Sequence, residues 1–317
     1  MTAPGSSAEW RLPEGCDQRL TPARPDLADA GLEGIVSAER YIRPRPARIA
    51  VPRTGLYPAP EPDARLDTEV VFGEAIDVYQ ERDGWLWVRS RTDGYVGYAA
   101  ASAAAPPGPP PTHRVAARAA LIFEAPDIKA PALRLPWPAR VSVLETVPGA
   151  GTRGLLGRLA GSGFVPMAQL APLASRTGDW VTAAEALMGQ PYLWGGRSGD
   201  GVDCSSLVQL ALATAHAAFP RDTDMQASCR LKGVSALPPD TRELARGDLV
   251  FWRGHVGIMQ DATHLLHANA HHMAVASEPL TATAERIAAA EGREITTILR
   301  LDPDAMLEHL ELTPPLG

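Results

Sequence analysis

Residues 190–206 read Gln190-Pro191-Tyr192-Leu193-Trp194-Gly195-Gly196-Arg197-Ser198-Gly199-Asp200-Gly201-Val202-Asp203-Cys204-Ser205-Ser206, and the chain runs on into Leu207-Val208-Gln209-Leu210-Ala211-Leu212. A turn-rich stretch with four glycines thus delivers one cysteine to the start of a helix expected over 205–217. Unpaired backbone N–H groups and the helix dipole at such an end favour a thiolate, which is how a sulfur nucleophile is built.

Working outward, Trp180–Met188 reads as a helix leading into this stretch. Gly247–Trp252 and Gly254–Met259 read as two strands joined by a tight turn, with His255 opening the second, and His264–Ala268 as the next strand. Cys204, His255 and His267 are the candidate triad: nucleophile, base, and the group that fixes the tautomer of the base. Asn269 or His264 could orient the base instead, and strand alternation, which puts Leu265, His267 and Asn269 on one face, makes Asn269 the more natural competitor. A lone cysteine is commonly a small buried hydrophobe. That reading is kept for Cys16 and Cys229, whereas the glycine-rich turn and the ordered histidines argue against it for Cys204. The cluster His264, His267, His271 and His272 lacks the cysteine or carboxylate that would complete a zinc tetrahedron, so no metal or cofactor is expected.

Five blocks occur in one order: Tyr192-x-Trp194-Gly195-Gly196, Asp203-Cys204-Ser205-Ser206-Leu207-Val208, Gly247-Asp248-Leu249-Val250-Phe251, Gly254-His255-Val256-Gly257-Ile258 and Leu266-His267-Ala268. Together they resemble the NlpC/P60 family of papain-like cysteine peptidases, which cleave peptides of bacterial cell walls, over roughly residues 175–300. The resemblance implies an oxyanion site made by the Cys204 N–H and Tyr192. Plain core packing is the other reading of that tyrosine.

Upstream, short β-like runs fill 43–105: Ala47–Val51, Thr68–Phe72, Ala75–Tyr79, Trp85–Arg89 and Tyr95–Tyr98, cut by Asp83-Gly84 and Asp93-Gly94 turns. Phe72-Gly73-Glu74 and Gly94-Tyr95-Val96-Gly97-Tyr98 resemble segments of bacterial SH3-type domains. A proline-rich linker ends at Pro111. A weaker β pattern over 112–174, with Ala119–Ile122, Val141–Leu144 and Gly163–Pro166, reads as a second, degenerate barrel. The expected architecture is therefore α+β: a papain-like NlpC/P60 catalytic domain over 175–317, preceded by two small SH3-like β-barrels over 43–105 and 112–174, the first lying over the cleft. Residues 1–42 form an N-terminal segment whose first twenty or so residues are expected to be poorly ordered, with a short helix capped by Asp26 before Leu27. Ala305–Leu310 is a short amphipathic fragment.

The 317 residues, 45% hydrophobic and 21% charged, suit two or three globular domains. A net charge of −7 without a Lys/Arg cluster argues against a nucleic-acid partner. Three cysteines make no disulfide framework, which points to a reducing compartment. The N-terminus has neither a basic region nor an apolar run, and no transmembrane-length stretch follows, so a cytoplasmic protein without a membrane partner is expected.

Within the family, the branch with two N-terminal SH3-type domains and no signal peptide consists of γ-D-glutamyl-L-diamino-acid endopeptidases. The resemblance thus implies hydrolysis of the γ-D-glutamyl–diamino acid bond in murein tri- and tetrapeptides with a free N-terminal L-alanine, for recycling. It places Asp203 and Tyr95, or in its place Tyr98, on the free amine, with Glu74 as a third group, and Ser205 and Thr223 on the substrate backbone and D-Glu carboxylate. A carboxylate beside the nucleophile would select a cationic N-terminus. Asp203 as a helix cap and Glu74 as a solvated strand-end charge are the plainer readings. The sequence leaves open which diamino acid is accepted and the oligomeric state. Two other functions stay open: a papain-like amidase or acyltransferase acting on another amide or ester, and a wall-binding module with an inert peptidase domain.

Overall fold

In the computed structural model, which describes residues 10–307, the β runs between 45 and 105 form one small unit. Its five-stranded sheet has the order Val96–Ala100, Trp85–Ser90, Ala75–Arg82, Arg45–Ile49, Ala104–Ala105, and the hairpin Arg53–Leu56/Thr68–Val71 closes over it. Tyr57 and Tyr98 join the two by a reciprocal pair of backbone hydrogen bonds, at 2.9 and 2.8 Å. Alternating residues Ala47, Ile49, Ile76, Val78, Leu86 and Val88 point inward with Leu56, Val70 and Ala99, giving the unit a core of its own.

Residues 113–172 form two further antiparallel sheets, of five and three strands. Their inward residues Val115, Ala120, Leu135, Val141 and Val165 belong to the same apolar cluster as the helices downstream. The proline linker between the two β units is pinned, with Ser142 Oγ donating to the carbonyls of Pro109 and Pro110.

The rest consists of helices on an antiparallel sheet. Helix α1 (Trp180–Glu185) precedes the glycine-rich stretch, α2 (Cys204–Thr214) carries the cysteine and α3 (Thr223–Ala227) follows. The six-stranded sheet has the order Val234–Leu237, Ile295–Leu301, Leu249–Trp252, His255–Met259, His264–Asn269, Ala274–Pro279, followed along the chain by α4 (Leu280–Glu291) before its strand Ile295–Leu301 and by α5 (Pro303–Leu307). Buried Leu207, Val208 and Ala211 share one apolar cluster with Leu249, Phe251, Val256 and Leu266 of this sheet, which seats α2 on it. At Gly257 an added Cβ would lie 2.6 Å from Leu265, so only glycine lets the strands of His255 and His267 approach this closely.

The expected helix after Asp26 does not form. Ala28–Asp29 is instead a two-residue strand beside Tyr41–Ile42, and Asp29, not Asp26, caps a single 3-10 turn at Ala30–Leu32. Gly31 and Gly34 leave too few helix-favouring residues to propagate a helix, and Asp26 pairs with Arg24 at 2.9 Å. The amphipathic fragment Ala305–Leu310 lies partly outside the described residues, as do residues 1–9. No helix among the described residues is long and apolar enough to cross a membrane.

Candidate functional site

Cys204 is the first residue of α2, and the helix start is fixed by a capping box: Ser206 N donates to Asp203 Oδ1 at 2.8 Å and Asp203 N donates to Ser206 Oγ at 3.0 Å. Gly195 has a φ of +72°, and its N–H donates to Asp203 Oδ2 at 3.1 Å, so the glycine-rich turn is folded around the cap that presents the cysteine.

Cys204 is 7% exposed, with its Sγ 3.7 Å from Thr223 Oγ1 and facing the backbone N–H of Val256, which pulls the thiol down. That amide belongs to the residue after His255, so α2 and the strand His255–Met259 meet at the sulfur. Burial, then the charge of Asp203, pushes the thiol up to about 11, against the smaller opposing pulls of Thr223, the Val256 amide and Arg221. Burial, then the neighbouring His267, pushes His255 down to about 3. The resting pair is therefore a neutral thiol and a neutral imidazole, in contrast to the thiolate expected from a helix N-terminus alone.

His255 Nε2 lies 2.8 Å from His267 Nδ1, and His267 Nε2 lies 2.9 Å from Glu278 Oε1. The carboxylate can only accept, so His267 Nε2 carries a proton. Burial pushes the His267 ring down, so it is neutral and its Nδ1 is an acceptor. His255 must then donate from Nε2, which leaves the lone pair on its Nδ1. Asn269 and His264 do not share this role: Asn269 Oδ1 accepts from His272 N at 2.8 Å, and His264 Nδ1 pairs with Asp261 at 3.3 Å. Glu278 was not among the residues expected from the sequence. His267 pairs with Ala276 across the antiparallel ladder, which puts Glu278 on the same face as the diagonal neighbour.

The expected amine-binding residues are arranged otherwise. Asp203 is held by Arg221, Nη1 to Oδ1 at 3.0 Å and Nη2 to Oδ2 at 2.7 Å, and also accepts from Ser205 Oγ, Ser206 N and Gly195 N. Its charge is neutralised and its lone pairs are taken, so Asp203 acts as a cap and ion-pair partner. Ser205 is drawn inward by the same network, accepting from Arg221 Nη1 at 3.0 Å. Glu74 is not a solvated strand-end charge: it is buried against Arg197 at 2.5 Å and accepts from Val71 N and Thr92 Oγ1.

Tyr95 and Tyr98 separate clearly. Tyr98 takes Arg24 Nη1 at 2.6 Å, whereas Tyr95 donates its hydroxyl to Asp222 Oδ2 at 3.2 Å, one residue from Thr223. Asp222 also receives Arg19 Nη1 at 2.7 Å. Burial raises the carboxyls of Asp222 and of Asp67, the Asp222 charge raises Asp67 further, and both charges add to the burial that raises Tyr95. Asp67 accepts no hydrogen bond on its side chain from any described residue. Tyr192 is half-buried, and burial followed by the charges of Cys204 and Asp203 raises its hydroxyl, which has no partner among the described residues. Sequence reasoning passed over Arg19, Asp67, Arg221 and Asp222, and only the run Pro220-Arg221-Asp222-Thr223-Asp224 held a signal. Among the described residues no His/Cys/Asp/Glu group is arranged to hold a metal ion.

Comparison with known proteins bears on this geometry. Residues 189–289 match the NlpC/P60 family and residues 56–103 match the bacterial dipeptidyl-peptidase Sh3 domain. The chain is similar to a gamma-D-glutamyl-L-lysine dipeptidyl-peptidase of Bacillus subtilis, 26% identical over 227 residues, covering 65% of this chain and 73% of that protein. It is also similar to dipeptidyl-peptidase 6 of Lysinibacillus sphaericus, 24% identical over 238 residues, covering 68% of this chain and 84% of that protein. A crystal structure of an NlpC/P60 family protein from Bacillus cereus superposes with a TM-score of 0.65 at 18% identity, over 80% of this chain and 98% of that one, which shows the shared fold. With its cysteine at a helix start, its paired histidines and both family matches in sequence order, this chain carries an NlpC/P60 cysteine peptidase domain over residues 189–289 with a bacterial SH3 domain over residues 56–103 ahead of it.

Proposed function

We propose that this peptidase hydrolyses the γ-D-glutamyl–diamino acid bond of murein peptides whose N-terminal L-alanine is free, in cell-wall peptide recycling in the cytoplasm. The observation that carries the catalytic part is the directed chain Glu278–His267–His255, ending on a strand whose next residue, Val256, turns its amide to the Cys204 sulfur. The substrate class is supported by the names of the relatives, gamma-D-glutamyl-L-lysine dipeptidyl-peptidase and dipeptidyl-peptidase 6.

In this reading the Cys204 thiol passes its proton to His255 Nδ1 as the sulfur attacks the amide carbonyl. The oxyanion is met by the Cys204 N–H, which as the first helical amide has no intrahelical acceptor, and by the Tyr192 hydroxyl. Collapse breaks the C–N bond, His255 returns the proton to the leaving amine, and water then hydrolyses the thioester. Thr223, beside the sulfur, lies where it can bond the substrate backbone.

For the substrate ammonium, Asp222 and Asp67 with Tyr95 fit better than Asp203 and Glu74. Burial raises both carboxyls and the Asp222 charge raises Asp67 further, so an entering cation relieves them. Recycling follows from that preference, because a free alanine amine is found on released wall peptides. We also read residues 112–174 as a second barrel of the first one's kind, residues 43–105 and 175–317 as domains, and 1–42 as an arm whose Arg19 clamps the Asp222 loop.

Digestion of L-Ala-γ-D-Glu-meso-diaminopimelate beside its N-acetylated twin, followed by mass spectrometry with Cys204→Ala as control, tests this. Cleavage of the free-amine peptide alone, lost in the variant, is expected. Equal cleavage of both peptides would overturn the amine preference, and cleavage of neither would overturn the assigned substrate.

A further inference from the structure

Behind α2, on the side away from the sheet's histidines, lies a cavity of about 330 Å³ walled by all three parts of the chain: Arg197 and Gln209 of the catalytic unit, Arg114, Trp137 and Arg140 of the second β unit, and Glu74 of the first. Its polar groups are not balanced. Glu74 is already engaged by Arg197 Nη2, Val71 N and Thr92 Oγ1. Arg114 donates only to backbone carbonyls, those of Pro172 and Ser175. The Arg140 guanidinium donates to no described residue; its charge acts on the already engaged Glu74, and burial together with Arg140 pulls Arg114 below its ordinary value, so two guanidinium groups share the one carboxylate that Arg197 has taken.

Gln209 is the second, independent sign. It is 5% exposed, and its Nε2 donates to Asp93 Oδ2 and to the Phe219 carbonyl, both at 3.2 Å. Two acceptors fix the amide orientation, since turning it over would set oxygen against oxygen. Oε1 is consequently buried without a donor, which is costly unless something in the cavity supplies one.

We propose that this cavity binds a small carboxylic acid bearing a hydroxyl or N–H group near its carboxylate, the carboxylate held by Arg140 and Arg114 and the donor satisfied by Gln209 Oε1. Arginine's planar fork matches a carboxylate in two parallel bonds, and Trp137 with Phe219 supplies an apolar wall for a carbon skeleton. The site is separate from the cysteine cleft, and it stands or falls independently of the murein substrate.

Isothermal titration of the full chain with L-malate, succinate and inorganic phosphate tests it. L-malate is expected to bind saturably at one site, with succinate, which lacks the hydroxyl, weaker by about tenfold. Arg140→Met should weaken L-malate by about tenfold or more. Gln209→Met should make L-malate and succinate bind alike. The two variants remove different atoms, and each is checked for an unchanged melting temperature, with Arg114→Met in reserve. Absence of saturable L-malate binding, or affinity unchanged in Arg140→Met, would overturn the site. Phosphate binding as tightly as L-malate and indifferent to Gln209→Met would overturn the carboxylic acid assignment.

Discussion

Arg221 grips Asp203 by both carboxylate oxygens while its own guanidinium is 1% exposed. The same side chain sends Nε to Thr68 Oγ1 at 2.7 Å, in the hairpin of the first β unit. One residue therefore fixes the cap of the nucleophile helix and ties the catalytic unit to the SH3 domain. The pair is bidentate and enclosed, so its two charges compensate one another where water cannot.

Replacing Arg221 by Met leaves the Asp203 carboxylate buried without its cation, and the expected loss is about 3–5 kcal/mol of unfolding free energy. Arg221→Lys keeps the charge but not the fork or the Thr68 bond, and should fall between. Equilibrium urea unfolding of the three proteins measures this. A loss below about 1 kcal/mol in Arg221→Met would show that the pair is not structural.

Glu74 and Asp222 separate a structural carboxylate from a recognition one. Glu74→Gln strands the buried Arg197 and should cost about 3–5 kcal/mol, while KM for the free-amine peptide stays unchanged in the fraction that folds. Asp222→Asn should do the reverse, raising KM about tenfold or more for that peptide with little effect on stability. If instead Glu74→Gln raised KM and Asp222→Asn did not, the amine site would have to be moved back to Glu74.

These contrasts show what a sequence can reveal. Cys204, His255 and His267 are legible because each sits at a position whose local pattern is strong: a glycine-rich turn before an apolar helix, and strands with period-two alternation. Glu278 and Arg221 are not legible, because their roles come from register and packing. Glu278 meets His267 only through the pairing of Ala274–Pro279 with His264–Asn269, and Arg221 sits in a polar run that looks solvent-facing. The weak pattern over 112–174 has a physical cause too. The inward residues of those strands are continuous with the apolar cluster of α1 and α2, while Leu121, Leu133, Leu144 and Leu155 stand exposed, so apolar residues fall on both faces and the alternation is blurred. The failed helix at Leu27 is a case where a good cap residue is outweighed by two following glycines.

His267 and Glu278 work on catalysis through His255. His267→Ala should lower kcat by about 10²-fold, because His255 loses the acceptor that holds its Nε2 proton. Glu278→Ala should cost about tenfold, and Glu278→Gln, whose amide oxygen can still accept from His267 Nε2, should recover most of that. Steady-state kinetics on the free-amine peptide distinguishes these outcomes. Equal rates in Glu278→Ala and the parent would show that the third group is dispensable.

The protonation state of the nucleophile gives the sharpest test. With Cys204 pushed up to about 11 and His255 down to about 3, both groups are neutral across the middle pH range. Only the thiolate is alkylated, so its fraction, and the labelling rate with iodoacetamide, should rise about tenfold for each pH unit and about 10³-fold between pH 6 and 9. Peptide mass spectrometry after each time point separates Cys204 from Cys16 and Cys229. A thiolate–imidazolium pair would behave differently: its labelling would already be fast at pH 6 and nearly level up to pH 8. A level profile would mean that the helix N-terminus and His255 outweigh the burial of the sulfur, and that the proton moves to the imidazole before substrate arrives.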